Sequence, residues 1–404
     1  MKVLLINNCH RQRGGADTVY FSTAQIIKDA GHEVVFFSFA DDNNERTESP
    51  EYFIHSCGKL RQFRNYFCNK DAAKAIENVL LIEKPDIAHA HLMWGGMSGA
   101  IIPVLHKYRV PLIHTVHDYR MICPAYTFRN SKGEICEKCK RGRYFNCFIN
   151  RCSKANLLQS LVMTSEMYYR NHKWHPAKCL DGIIYVSKFA KNKHEVIDPL
   201  FMKTKNIVLY NFTTVGLSYP PIEKDEGYYL YYGRLSHEKG VKTLVQTFNG
   251  FPDLTLKIVG TGPKENELKS ISSNNIHFYG FKTGRDLYDL VRKARFVCVP
   301  SEWYENNPMT IVESYSMGVP VIGANIGGIP EILNDSQTGF LFKYGNVDSL
   351  SDAIKRSMSL SSEEYQIMKY NAIQFAKTNF DKNSYSIHLL DFYKEIIDGS
   401  KKED

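Results

Sequence analysis

Twice along this chain, short apolar runs alternate with stretches of helical periodicity, and one polar break separates the two series. In the first series residues 2–7, 32–39, 86–91, 112–118 and 182–187 read as strands, with helical patterns at 17–30, 71–83 and 96–108 between them. Strands that alternate with helices predict a parallel, doubly wound α/β sheet. After Asn211 the segment TTVGLSYPPIEKDEG interrupts the pattern. It then restarts, with strands expected at 228–232, 255–259, 276–279, 296–300 and 319–323. A chain of 404 residues is also too long for one ordinary core. The expectation is two such domains, residues 1–212 and 213–380, facing a cleft where ligands bind. The tail from about Ser361 is helical by pattern, and residues 381–404 carry Tyr385, His388, Leu389, Phe392 and Ile396 on one apolar face.

The composition, 43% hydrophobic and 23% charged, is that of a globular chain, and no segment has the length of a membrane span. MKVLLINN reads as a first strand rather than a signal peptide, which predicts a cytoplasmic location. Ten cysteines in such a compartment are free thiols or metal ligands before they are disulfides. The net charge is +8, and residues 132–178 alone hold ten Lys or Arg against three Glu. The excess therefore belongs to one segment and not to the whole surface.

The densest local chemistry lies in SEWYENNPMTIVESYSMGVPVIGANIGGIPE, residues 301–331. Pro308 suits the first position of a helix, so Asn307 is the expected cap and the helix is expected over 308–317, ended by Gly318. Glu305 then precedes the helix and Glu313 lies on it, while the free amides at its start suit an anion. A solvated surface helix is the plain alternative. Gly327 and Gly328 argue against it, because they mark a turn where the chain passes close to something. Upstream, YYLYYGRLSHEKG brings Arg234 and Lys239 to the end of a strand, a pair suited to a leaving diphosphate. Two carboxylates can accept hydroxyls of ribose and of a sugar. Together these groups describe a nucleotide diphospho-sugar.

Two features of the first series belong with them. CHRQRGGADTVY places Gly14 and Gly15 before a helix, a turn that is either simply tight or open to a phosphate or sugar. LIHTVHD delivers His117 and Asp118 to the carboxyl end of a parallel strand, the ligand-binding edge of such sheets. His89, His91 and His114 read as strand-end histidines satisfied by backbone partners.

GRLSHEKG, ENNPMTIVE with SMGVPVIGANIGGIPEIL, and DSQTGFLF resemble the retaining glycosyltransferases of family four. The resemblance is dense over residues 228–347 and looser in the first half, where Gly14 to Ala16 and HTVHD fall at the expected places. It implies the GT-B fold, with the last helix crossing back to the first domain. Position by position, it implies Arg234 and Lys239 on the donor diphosphate, Glu313 on the ribose and Glu305 on the donor sugar. Asn307, Pro308, Met309 and Thr310 would line sugar and phosphate, His117 would reach the sugar, and Gly15 would lie beneath the diphosphate. It implies a metal-independent, front-face displacement in which the leaving diphosphate helps deprotonate the acceptor hydroxyl. A glycosidase-like nucleophile at Glu305 is the chemical alternative.

Residues 123–152 form an insertion in which Cys136, Cys139, Cys147 and Cys152 are candidate zinc ligands, a reduced acceptor loop being the alternative. It leads into LLQSLVMTSEMYYRNHKWH, where basic and apolar side chains interleave as on a membrane-surface helix. Lys59, Arg61, Arg64 and Lys70 beside Phe63, Tyr66 and Phe67 make a second such patch. The expected partners are a nucleotide sugar, a glycan or lipid-linked acceptor of a surface polysaccharide or lipopolysaccharide type, and the inner face of an anionic membrane. Nucleic acid is not among them. The rival functions are another GT-B activity, such as a nucleotide-sugar epimerase or phosphorylase, and, from another class, a basic nucleic-acid-binding or nucleotide-sugar-sensing module.

Overall fold

The computed structural model of the chain describes residues 1–55, 58–153 and 155–400; the side chain of Lys59 also lies outside what is described. The chain divides into two compact units, Met1–Leu209 with the segment from Asn383 onward, and Tyr210–Lys382.

Among the described residues the first unit is built on a seven-stranded sheet. Its strands are β1 (Lys2–Asn7), β2 (Glu33–Phe39), β3 (Glu51–Ile54), β4 (Ile87–Leu92), β5 (Leu112–Val116), β6 (Gly182–Tyr185) and β7 (Asn206–Val208). The spatial order is β3-β2-β1-β4-β5-β6-β7, and every pairing is parallel. The central strands are continuous apolar runs because helices cover both faces; Val3 to Ile6 have no exposed surface. The second unit holds a six-stranded parallel sheet of β8 (Tyr229–Tyr232), β9 (Leu256–Val259), β10 (Ile276–Phe278), β11 (Phe296–Val299), β12 (Val321–Ala324) and β13 (Gly339–Phe342), in the order β10-β9-β8-β11-β12-β13.

In both sheets the order reverses beside the first strand, between β1 and β4 and between β8 and β11. Loops that leave the carboxyl ends of strands at such a reversal diverge and open a crevice. The glycine turn with Gly14 and Gly15 follows β1, the Arg234–Lys239 loop follows β8, and Ser301 to Glu305 follow β11.

Three strands escape the sequence pattern, β3, β7 and β13, and all three are edge strands of three or four residues. An edge strand has one neighbour and a half-covered face, so it needs no long apolar run. The helix expected at 96–108 begins later, as a 3-10 turn Gly99–Ile101 that continues into Ile102–Lys107, because Gly95 and Ser98 adopt left-handed backbone angles before it.

The helix Lys382–Ser400 belongs, from Asn383, to the first unit. Leu389, Phe392 and Ile396 are buried there, each contributing about 1.5–3 kcal/mol of apolar burial. Gly182 of β6 is the seat for this helix: a Cβ there would stand 2.9 Å from both Ile396 and Phe392. His388 does not share the buried face. It is exposed, and its Nδ1–H turns back to the Ser384 carbonyl at 2.7 Å. Tyr393 is buried in its stead and bonds His89 at 2.7 Å.

Candidate active site

The second unit gathers Arg234, Lys239, Glu305 and Glu313 through strands β8 and β11, which lie side by side. Arg234 is exposed just past β8, has no carboxylate partner among the described residues, and its carbonyl accepts the Tyr231 hydroxyl at 2.8 Å. Lys239 closes a 3-10 turn, His237–Lys239, that ends on Gly240 with φ +66. Glycine is required there by space as well, since a Cβ would stand 1.9 Å from the Pro300 carbonyl oxygen. That close approach holds the lysine loop against the loop after β11.

Glu305 is the best-held group of the set. Its Oε1 accepts from Lys239 Nζ at 2.7 Å, Ser301 Oγ at 2.8 Å and Trp303 Nε1 at 2.8 Å, while Oε2 has no hydrogen-bond donor among the described residues. Burial alone would raise this carboxyl, but the Lys239 charge and the three hydrogen bonds outweigh it and hold Glu305 below its ordinary value. The backbone is held too. Gly328 donates to the Glu305 carbonyl at 2.7 Å, and a Cβ on Gly327 would stand 2.4 Å from that oxygen. The glycine pair noted in the sequence thus packs on the Glu305 peptide.

Glu313 lies one turn into the helix Met309–Ser316 and is buried, with no cation beside it among the described residues. The Tyr232 hydroxyl, 3.2 Å away, and Tyr288 donate to it, yet desolvation dominates and pushes its carboxyl up to about 7. Asn307 does not cap this helix. Pro308 takes the cap position in extended geometry, with no side-chain cap bond, because the Asn307 amide is used elsewhere. Its Oδ1 accepts the Asn211 N–H at 3.0 Å and its carbonyl accepts Asn211 Nδ2 at 2.9 Å. Asn307 Nδ2 is left buried with no hydrogen-bond partner among the described residues. The N–H groups of Met309 and Thr310 likewise make no bond in their turn among the described residues.

In the first unit His117 stands just past β5, half-buried, and belongs to a row of imidazoles. Its Nε2 is 2.9 Å from His91 Nδ1, and the two rings stack at 17°. Desolvation lowers the imidazole to about 3, so the ring is neutral at neutral pH. His89 is satisfied by the hydroxyls of Tyr393 and Thr115, each at 2.7 Å, and not by backbone. Gly14 precedes the helix Gly15–Asp29 with extended φ −173, and a Cβ there would meet no atom within 4 Å. Packing among the described residues places no demand for glycine at that position.

Sequence reasoning missed Ser301, Trp303, Tyr232, Tyr288 and Asn211. Ser301 and Trp303 were within reach, being four and two residues before Glu305 in the same polar stretch. The two tyrosines and Asn211 act from other elements and leave no local sign.

Zinc at Cys136, Cys139, Cys147 and Cys152 finds no support. These are free thiols, and among the described residues no group of three or more His, Cys, Asp or Glu side chains is placed to hold a metal ion. The Cys152 thiol lies beside those of Cys136 and Cys147, and its proximity as a donor lowers Cys136 to about 6, lowers Cys147 and raises Cys152. Burial raises Cys139. Among the described residues no helix is long and apolar enough to cross a membrane.

Two family descriptions match the chain, Glycosyltransferase Family 4 over residues 13–198 and Glycosyl transferases group 1 over residues 219–375. An uncharacterised glycosyltransferase of Methanocaldococcus jannaschii is 25% identical over 403 residues, 98% of this chain and 99% of that protein. The UDP-Gal:alpha-D-GlcNAc-diphosphoundecaprenol alpha-1,3-galactosyltransferase of Escherichia coli is 25% identical over 308 residues, 72% of each chain. In fold the chain is similar to sucrose-phosphate synthase from Thermosynechococcus elongatus, with TM-score 0.73 at 15% identity over 99% of this chain and 100% of that one. It is similar also to Anabaena HepE in complex with UDP-glucose, with TM-score 0.70 at 18% identity over 98% and 100%. One family match falls within each compact unit and both sheets are parallel and doubly wound, so the chain belongs to the family-four glycosyltransferases and has the GT-B fold.

Proposed function

We propose that this glycosyltransferase moves a sugar, with retention of configuration and without a metal, from a nucleotide diphospho-sugar to a hydroxyl of a lipid-linked glycan or surface-polysaccharide precursor. The observation that carries the reading is the state of Glu305: one carboxylate oxygen is held by three donors, one of them Lys239, and the other is left for a ligand. A carboxylate so stabilised is a poor nucleophile and a good acceptor for sugar hydroxyls, which favours displacement by the acceptor over a covalent intermediate.

The Tyr210–Lys382 unit is assigned the donor and the other unit the acceptor. Arg234 and the two remaining protons of the Lys239 ammonium bind the diphosphate, and together with the N–H groups of Met309 and Thr310 they stabilise it as it leaves. Glu313 takes the ribose hydroxyls. Asn307 Nδ2 donates to the sugar, and Pro308 lines it. His117 is assigned to the donor sugar as a neutral imidazole, and the open turn at Gly14 and Gly15 to the diphosphate. The diphosphate oxygen accepts the acceptor proton as the glycosidic bond forms on the face the leaving group vacates. The likeness to a galactosyltransferase acting on a diphosphoundecaprenol supports a lipid-linked acceptor, and with such an acceptor a reaction in the cytoplasm, at the inner face of the cell membrane, is the reading that fits.

A panel of nucleotide sugars, screened by thermal shift and by slow donor hydrolysis, tests the donor half before an acceptor is known. Glu305→Ala and Lys239→Ala should abolish most turnover of the sugar so identified. Turnover near that of the unsubstituted enzyme in either variant overturns the site.

A further inference from the structure

The basic excess of residues 132–178 does not spread over the surface; part of it converges on a cavity in the Cys-bearing insertion. This cavity, about 630 Å³, is lined by Lys138, Lys140, Arg141, Arg143, Phe145 and Val196, with Glu137 and Asn146 completing the wall. Glu137 is already neutralised, by Lys140 at 3.3 Å and Lys193 at 2.5 Å. Lys138, Arg141 and Arg143 have no carboxylate partner among the described residues. Three uncompensated cations facing one cavity repel each other, and the arrangement is held by the fold. Asn146 Nδ2 ties down the loop from inside, donating to the carbonyls of Lys138 at 2.9 Å and Arg143 at 2.8 Å. Arg141 itself is held at φ +52, a backbone conformation that L residues rarely adopt.

One rim of the cavity is apolar. Phe145 is 48% exposed, and Ile149, one turn on in the helix Phe145–Ile149, is 64% exposed. That helix packs on the helix Leu157–Lys173, where Tyr168 Oη accepts the Phe145 N–H at 3.2 Å. The second helix adds Leu157, Leu158 and Leu161, exposed by 45%, 70% and 44%. The buried positions of this helix include Ser160, Thr164 and Met167. Isolated exposed leucines need no explanation, but an apolar ridge of five exposed side chains on two packed helices, one of them lining an uncompensated cationic cavity, does.

We propose that this insertion docks on an anionic phospholipid bilayer, the cavity taking a lipid phosphate head and the ridge entering the acyl boundary. The charge identifies the occupant's head as anionic, and the ridge requires that it be carried on an apolar phase. The inference deepens the lipid-linked acceptor reading, since it states how the enzyme meets that acceptor's membrane. It involves none of the residues assigned to the donor.

Flotation of the full chain with vesicles tests it. The chain should float with phosphatidylcholine vesicles that contain phosphatidylglycerol, stay behind with phosphatidylcholine alone, and be released by salt. Arg141→Glu with Arg143→Glu should cut binding about tenfold or more. Leu158→Ser with Ile149→Ser should weaken it as well, while leaving the salt dependence in place. Equal binding to neutral vesicles, or full binding by the charge-reversed variant, overturns the proposal. Release by inorganic pyrophosphate at low millimolar concentration overturns it in favour of a soluble anion site. Capture only by neutral vesicles doped with a polyprenyl diphosphate overturns it in favour of the acceptor's own head group. Unchanged melting and unchanged donor hydrolysis in both variants are required for the expected result to count. Failure of docking with hydrolysis intact leaves the catalytic reading standing, and inert Glu305 with docking intact separates the two the other way.

Discussion

Two rows of buried ionisable groups, one in each unit, meet the same problem differently. In the first unit His89, His91 and His114 are buried and His117 half-buried, with no carboxylate among the groups that shift them, and desolvation drives every one of them toward the neutral form. In the second unit Glu305 is as deeply placed but has Lys239 at 2.7 Å and keeps its charge. Glu313, on the adjoining helix, has only tyrosine hydroxyls among the described residues and is pushed up to about 7. The difference teaches that burial alone does not decide protonation; the presence of one counter-ion does. Charge is kept at the carboxylate assigned to the sugar and released at the one assigned to the ribose, whose hydroxyls can be donors or acceptors.

Four experiments break or sharpen this contrast. The largest effect is expected from Lys239→Ala, which removes the counter-ion from Glu305 and should lower transfer about a hundredfold or more. It should also cost about 3 kcal/mol of stability by leaving a buried carboxylate unpaired, a cost that Lys239→Ala combined with Glu305→Gln recovers while activity stays lost. Denaturant titration and kinetics on the pair of variants separate the two effects.

Acid should come next. A histidine with a lowered native pKa binds its proton more readily when unfolded, so its contribution is complete above the unfolded value near 6.5 and is lost as pH falls toward about 3. Unfolding followed between pH 7 and 4 should show a loss of a few kcal/mol that His89→Gln diminishes. A flat profile breaks the imidazole side of the comparison.

Glu313 has the opposite sign. Its native value is raised above the unfolded one, so the folded state holds the extra proton and stability falls as pH rises from about 4.5 through about 7. Glu313→Gln should therefore stabilise the ligand-free protein by about 1–2 kcal/mol at pH 8 and by little at pH 5, while weakening nucleotide binding. Equal effects at both pH values would falsify an uncompensated carboxylate. The smallest effect is expected from Tyr393→Phe, which takes the hydroxyl from His89 and should cost about 1 kcal/mol in melting experiments.

Much of this was legible before any coordinates. The alternation of short apolar runs with helical periods was enough for two doubly wound sheets, since period is a local property that survives without knowing what packs where. The set Arg234, Lys239, Glu305 and Glu313 was picked out by residue types at strand ends, while the role of each came from the family resemblance; the four do emerge from neighbouring loops and the helix beyond them. The cap at Asn307 was misread because a side chain that fits a cap was claimed by Asn211, which lies 96 residues away in sequence. His388 was misread because one helical face holds two candidate positions, and only the seat at Gly182 decides which of them faces inward.

By itself the sequence determined the two sheets, the glycines that allow tight passage, and the spacing that sets Glu305 before a helix and Glu313 on it. Only the tertiary structure decided the partners: Lys239 for Glu305 across 66 residues, Tyr232 for Glu313 across 81, and Tyr393 for His89 across 304. The physical reason is that periodicity and turn chemistry act within a few residues, whereas the protonation state of a buried group depends on which charges and dipoles the fold brings within a hydrogen bond of it.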